Sequence, residues 1–161
     1  MENTSAISGL FIRCYRLFAA VSMRFQPPLL LVLRLYWGWQ FFLTGRGKLM
    51  HLDHTTEFFR TLHIPFPYLN AWIVGLTECF GGLLLLSGLG ARFVAAVLAF
   101  DMIIAYLTAD FDKVKTIFSN PDKFLGADPF LFMLASMIIF AFGPGVFSLD
   151  WLIAKRMRAK P

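Results

Sequence analysis

Apolar residues run along this chain in blocks of helical length, separated by short polar intervals. The longest uninterrupted pattern covers residues 71–109, AWIVGLTECFGGLLLLSGL followed after Gly90 by ARFVAAVLAFDMIIAYLTA. Each arm has about 19 residues, and at about 1.5 Å per residue it matches a hydrocarbon core of roughly 30 Å. Gly88, Leu89 and Gly90 permit a tight turn between the arms, so the pattern predicts a membrane hairpin. Two further apolar blocks, residues 28–44 and 129–147, predict a first and a fourth span. The expected fold is all-α, an integral membrane four-helix bundle.

The polar intervals differ in kind. Within residues 1–26, Ile7, Leu10, Phe11, Cys14, Leu17, Phe18, Val21 and Phe25 recur at helical spacing, while Arg16 and Arg24 fall on other faces. This predicts an N-terminal amphipathic helix at the membrane surface, ended by Gln26, Pro27 and Pro28. Arginines interrupting its apolar run argue against a cleaved signal peptide. Gly45, Arg46, Gly47 and Lys48 are expected to end the first span. Residues 51–68 carry a short amphipathic pattern around Phe58, Phe59 and Leu62, stopped by Ile64, Pro65, Phe66 and Pro67. A polar loop over 110–128 and a basic cytoplasmic tail over 151–161 complete the plan.

Composition strengthens the membrane reading: 58% of residues are hydrophobic and 16% charged, which a soluble domain of this size rarely shows. The net charge of +5 does not point to nucleic acid, because the basic residues flank the apolar blocks instead of forming one patch. Anionic lipid headgroups account for them. With four spans both termini share a side, and the surplus of Lys and Arg there predicts that they are cytoplasmic. Cys14 and Cys79 lie on different helices and form neither a disulfide framework nor a redox motif.

Charges inside the apolar blocks are the candidate chemistry. Arg34, Glu78 and Asp101 lie near the middles of their spans, where an unpaired charge is costly, so they are expected to point inward and pair as one polar cluster. A guanidinium bridges two carboxylates well. Such a cluster either binds a ligand or proton, a quinone headgroup being one candidate, or is a static ion-pair network that fixes helix register. His51, His54 and Glu57 share a helical face, but the spacing matches a solvated face better than a metal site, and no metal is assigned. Tyr68, Trp72 and Trp151 fit an interfacial aromatic belt, and Ala91, Ala95 and Ala99 form a ridge for close helix contact.

Several of these residues also form motifs. In the first span Arg34, Gly38, Phe42, Gly45 and Lys48 follow the spacing RxxxGxxxFxxGxxK. In the hairpin, Glu78 is followed by Gly81, Gly82, Leu85, Gly88, Arg92 and Ala95. Near the end come Gly143, Pro144, Gly145, Ser148, Leu149 and Asp150. Together they resemble the DoxX family of small bacterial membrane proteins. The resemblance implies a four-helix bundle in the bacterial inner membrane and a quinone-linked or redox-partner role, as a subunit of an oxidoreductase. Other roles compatible with it are a noncatalytic anchor or assembly partner, a small proton-coupled transporter, and a lipid-binding protein. The implied partners are the lipid bilayer, a membrane quinone and a redox enzyme; because 161 residues make a thin bundle, a second copy of the chain is a further expected partner. No haem, flavin or iron–sulfur motif is present in the sequence, so the cofactor stays unassigned.

Overall fold

The computed structural model describes the backbone from Glu2 to Ala159 and the side chains from Ile12 to Ala159. Ile7, Leu10 and Phe11 of the predicted amphipathic face, and Lys160 of the tail, therefore lie outside the described side chains. The elements are α1 (Glu2–Met50), α2 (Leu52–Thr61), α3 (Pro67–Ser87), α4 (Ala91–Thr108), α5 (Phe111–Lys115), α6 (Pro121–Leu125), α7 (Asp128–Phe142) and α8 (Leu149–Arg158). Among the described residues there is no strand. Helices α1, α3 and α4 are each long and apolar enough to cross a membrane. The shorter α7, 15 residues long, packs against α4 and α1. This is an all-α membrane protein.

The predicted break at Gln26, Pro27 and Pro28 does not occur: α1 runs through both prolines. Each proline removes one helical hydrogen bond, leaving the carbonyls of Met23 and Arg24 without their usual donors. Both of these residues are exposed, so the freed carbonyls are not sealed in a core. Nor does the helix stop at Gly45. It continues through Lys48 to Met50, because Gly45 is buried against α3 and serves close packing instead of a turn.

The hairpin is formed by α3 (Pro67–Ser87) and α4 (Ala91–Thr108), beside the expected 71–89 and 91–109. Gly88 and Gly90 adopt φ of 69° and 58°, a region that favours glycine, and they reverse the chain between α3 and α4. Ala91, Ala95 and Ala99 are buried, in keeping with a contact ridge. The fourth apolar block differs from expectation: α7 ends at Phe142, and Gly143 and Gly145, at φ of 81° and 76°, turn 143–148 into an irregular strap leading to α8. The 110–128 loop contains two short helices, and most of the tail is the helix α8.

The apolar core sits midway along the bundle. Phe41 of α1, Leu85 of α3, Leu98 of α4 and Ile139 of α7 are fully buried and belong to one cluster. Phe132 packs edge-on against Phe41, with ring centroids 4.8 Å apart. This layer separates two polar regions, one at each end of the core.

Candidate functional site

Glycines set the register of α1 against α3. A Cβ on Gly38 would meet the backbone of Gly82 and Leu86, one on Gly45 would strike the backbone of Glu78 and Cys79, and one on Gly75 would press on Leu49. A Cβ on Gly82 would lie 2.5 Å from the Phe42 backbone nitrogen. The seven-residue spacing of Gly38 and Gly45 thus meets the seven-residue spacing of Gly75 and Gly82 in an antiparallel seam, where small residues let the backbones approach. Gly81 faces Leu98 of α4 instead.

That register places Arg34 opposite the hairpin turn. Its guanidinium is buried, 1% exposed, and donates to the carbonyls of Pro144 at 2.5 Å, Phe147 at 2.8 Å and Leu86 at 3.4 Å. It caps the end of α3 and fastens the 143–148 strap to it. Gly88 fits because a side chain there would collide with the guanidinium. Asp150 completes the junction by accepting from the backbone N–H groups of Gly90 at 2.7 Å and Ala91 at 3.0 Å, supplying the N-terminal cap that α4 lacks locally. Ser148 in turn caps α8 through the Trp151 N–H at 3.2 Å. Arg92 lies beside Gly143. These contacts give the closing Ser148, Leu149 and Asp150 motif a structural purpose.

Glu78 is at the other end, and its cation is Lys48. Lys48 Nζ donates to Glu78 Oε1; the glutamate side chain is 2% exposed and the lysine side chain 31%. Glu78 Oε2 and Asp101 Oδ2 are buried and have no hydrogen-bond partner among the described residues. Lys48, Glu78 and Asp101 line one cavity of about 340 Å³. Its remaining wall is largely apolar: Phe58 and Phe59 of α2 with Leu62 just after it, Ile73 and Val74 of α3, and Val97, Phe100 and Ile104 of α4. A pocket of this size with few convergent polar groups is the usual form of a small-molecule site.

The expected pairing of Arg34 with both acids is corrected by this geometry. Glu78 and Asp101 come together; Arg34 does not join them. Arg34 and Lys48 are 14 residues apart on α1, about 21 Å along the axis. Because α3 runs antiparallel, the residue facing Glu78 belongs to the Lys48 end. Lys48 was legible as a motif residue, and its position one turn beyond Gly45, on the glycine face, was the signal for its partnership. Phe42 stacks obliquely on Trp39 at 5.4 Å and contributes to the seam.

Of the remaining candidates, Glu57 pairs with Arg60 on an exposed face of α2, and His51 and His54 line a shallow cavity with Lys48. Among the described residues, no three His, Cys, Asp or Glu side chains gather as a metal-binding group. Cys14 is exposed and Cys79 partly buried; neither is in a disulfide.

The helices and the two polar ends define a small membrane protein held together by motif residues, and comparison with known proteins agrees. The DoxX family profile matches residues 29–110, and the chain belongs to that family. It is 30% identical over 117 residues to a Bacillus subtilis protein named putative oxidoreductase CatD, a match covering 63% of this chain and 86% of that protein. It is 32% identical over 145 residues to the Mycobacterium tuberculosis protein named uncharacterized membrane protein Rv3486, covering 83% of this chain and 86% of the relative. No solved structure matches.

Proposed function

We propose that this DoxX-family protein is a membrane subunit of a redox system that binds a quinone in the Lys48, Glu78 and Asp101 cavity. The observation that carries the reading is the pairing of a largely apolar cavity with two buried carboxylate oxygens that lack partners. An isoprenoid quinone has an apolar body and two carbonyl oxygens. Lys48 is positioned to donate to one of them, and Glu78 and Asp101 are the groups that would exchange protons with the ring oxygens. Reducing a quinone to a quinol consumes two electrons and two protons. The electrons would come from a soluble oxidoreductase partner, while the proton-exchanging groups belong to this chain. The name of the Bacillus relative supports a redox setting, and the proposed location is the bacterial inner membrane with both termini cytoplasmic.

A second reading, a noncatalytic anchor or assembly partner, is favoured by the N-terminal part of α1. Ile12, Tyr15, Phe18 and Phe25 are exposed there, well away from the bundle core. The deciding experiment is a titration with a short-chain quinone of the protein in lipid nanodiscs. The parent should bind saturably, and folded Glu78→Gln and Asp101→Asn variants should bind at least about tenfold more weakly. A folded parent that does not bind would leave the anchor reading in place.

A further inference from the structure

A second, smaller cavity of about 150 Å³ lies on the opposite side of the Lys48–Glu78 pair and is bordered by Thr44 of α1 and by Asp128 and Pro129 of α7. Lys48, Glu78, Met102 and Ala105 line both cavities, so the two share a wall whose polar groups are this pair. Lys48 lies two residues from the end of α1, and Asp128 begins α7. The smaller cavity is therefore at the end of the bundle, where helices give way to the polar connections. Lys48 also lines the shallow cavity that carries His51 and His54.

The other direction is closed. Between this end and the Arg34 junction lie Phe41, Leu85, Leu98 and Ile139, all with 0% exposure. Apart from the buried Ser136 hydroxyl of α7, which has no hydrogen-bond partner, the residues described in this layer offer no polar step from Glu78 to the hairpin turn. Charged and titratable groups face the pair from each neighbouring element on the open side only: Asp101 from α4, Asp128 from α7, and His51 and His54 from the α2 end.

We infer that the cavity bounded by Thr44, Lys48, Glu78 and Asp128 is a one-sided proton-uptake route. It opens toward the α1–α2 turn and the α6–α7 connection, and delivers protons to Glu78 and through it to Asp101. Hydronium at the mouth is drawn by the exposed Asp128 carboxylate. Its O–H bond breaks as an O–H bond forms on Glu78 Oε2, the oxygen not engaged by Lys48. Glu78 then passes the proton into the larger cavity, to Asp101 or to a ligand oxygen, and regains both its charge and its ion pair. The exchange is acid–base throughout and needs no oxidant or reductant. It rests on reading the larger cavity as a proton-handling site, but not on the ligand's being a quinone.

The test is hydrogen–deuterium exchange of the buried carboxyl groups, followed through their C=O stretch by infrared spectroscopy on the full chain in nanodiscs without quinone. Bands are assigned with Glu78→Gln and Asp101→Asn. Thr44→Trp, which fills the smaller cavity, should slow exchange by at least about tenfold relative to the parent. Asp128→Leu, which removes the carboxylate at the mouth, should slow it in the same direction and serves as the test should Thr44→Trp lose its helical circular dichroism. Ser87→Trp, at the hairpin end, should leave the rate unchanged. Parental exchange rates in the folded Thr44→Trp or Asp128→Leu protein would overturn the route, as would slowing by Ser87→Trp instead. Absence of any protonated carboxyl band down to about pD 4 would overturn it as well. Quinone titration of the same samples is an independent readout, so failure of one reading is distinguishable from failure of the other.

Discussion

The two ends of the membrane core hold their buried cations in opposite ways. At the hairpin end Arg34 donates through Nη1 and Nη2 to three backbone carbonyls beside an open cavity of about 670 Å³, and only its Nε is left without a partner. At the other end Lys48 satisfies only one oxygen of Glu78, and the second oxygen and Asp101 are left over beside a largely apolar cavity. A planar five-donor group suits the first task and a compact ammonium the second. The lesson is that a buried charge indicates function through its unsatisfied neighbours and not through burial: the more deeply buried Arg34 is a fastener, and the partly exposed Lys48 attends the candidate site.

The comparison breaks most readily at Arg34. Arg34→Met strands the carbonyls of Leu86, Pro144 and Phe147, at about 1–3 kcal/mol for each buried group left unpaired, so thermal unfolding in detergent should show a loss above about 3 kcal/mol. Arg34→Lys should restore only part of it, since one ammonium does not reproduce the fork. A Met variant with parental stability would refute the fastening role. Next in size is Lys48→Met, which leaves Glu78 buried without its cation and should cost about 3 kcal/mol. Adding Glu78→Gln should return most of that loss in a double-mutant cycle, whereas no single neighbouring change compensates for Arg34.

A smaller effect tests the seam that sets both ends in place. Gly82→Ala should destabilise by about 1–3 kcal/mol, because its Cβ meets the α1 backbone. Gly47→Ala, whose Cβ meets nothing within 4 Å, should be neutral or stabilising by up to about 1 kcal/mol. Equal outcomes would remove the glycine-seam argument. The smallest effect lies outside both ends, where Asp110 accepts from Lys113 and that hydrogen bond raises the lysine pKa. A raised lysine pKa means the pair's stabilisation is complete below the ordinary lysine range and is lost as pH rises through the raised value. Asp110→Asn should therefore be slightly less stable than the parent at pH 7 and converge with it as pH rises through the raised lysine value, measured by unfolding temperature.

Much of this arrangement was legible before any coordinates. Uninterrupted apolar blocks flanked by charges define the long helices, and Glu78 among glycines shows which face of α3 is close-packed. The pairing was not legible, because placing three charges near mid-span treats depth as known. Depth depends on where α1 ends, and Gly45 and Gly47 look like a terminus in the sequence when they are interior positions of a helix continuing to Met50. Pro27 and Pro28 mislead in the same way. Glycine and proline mark a boundary only where the backbone turns, and that is a property of the partner helix as much as of the residue.

The junction around Asp150 also bears on how the protein is made. The ligands that close it, the Pro144 and Phe147 carbonyls and the Asp150 carboxylate, follow α7 in the chain and are synthesised after Arg34 and the start of α4. During vectorial synthesis the hairpin reaches the membrane with its turn uncapped and Arg34 without its full set of acceptors. The fold is locked only when the ribosome has delivered residue 150. A truncation just short of Asp150 should therefore leave the turn uncapped and make the protein easier to cleave in limited proteolysis than the parent.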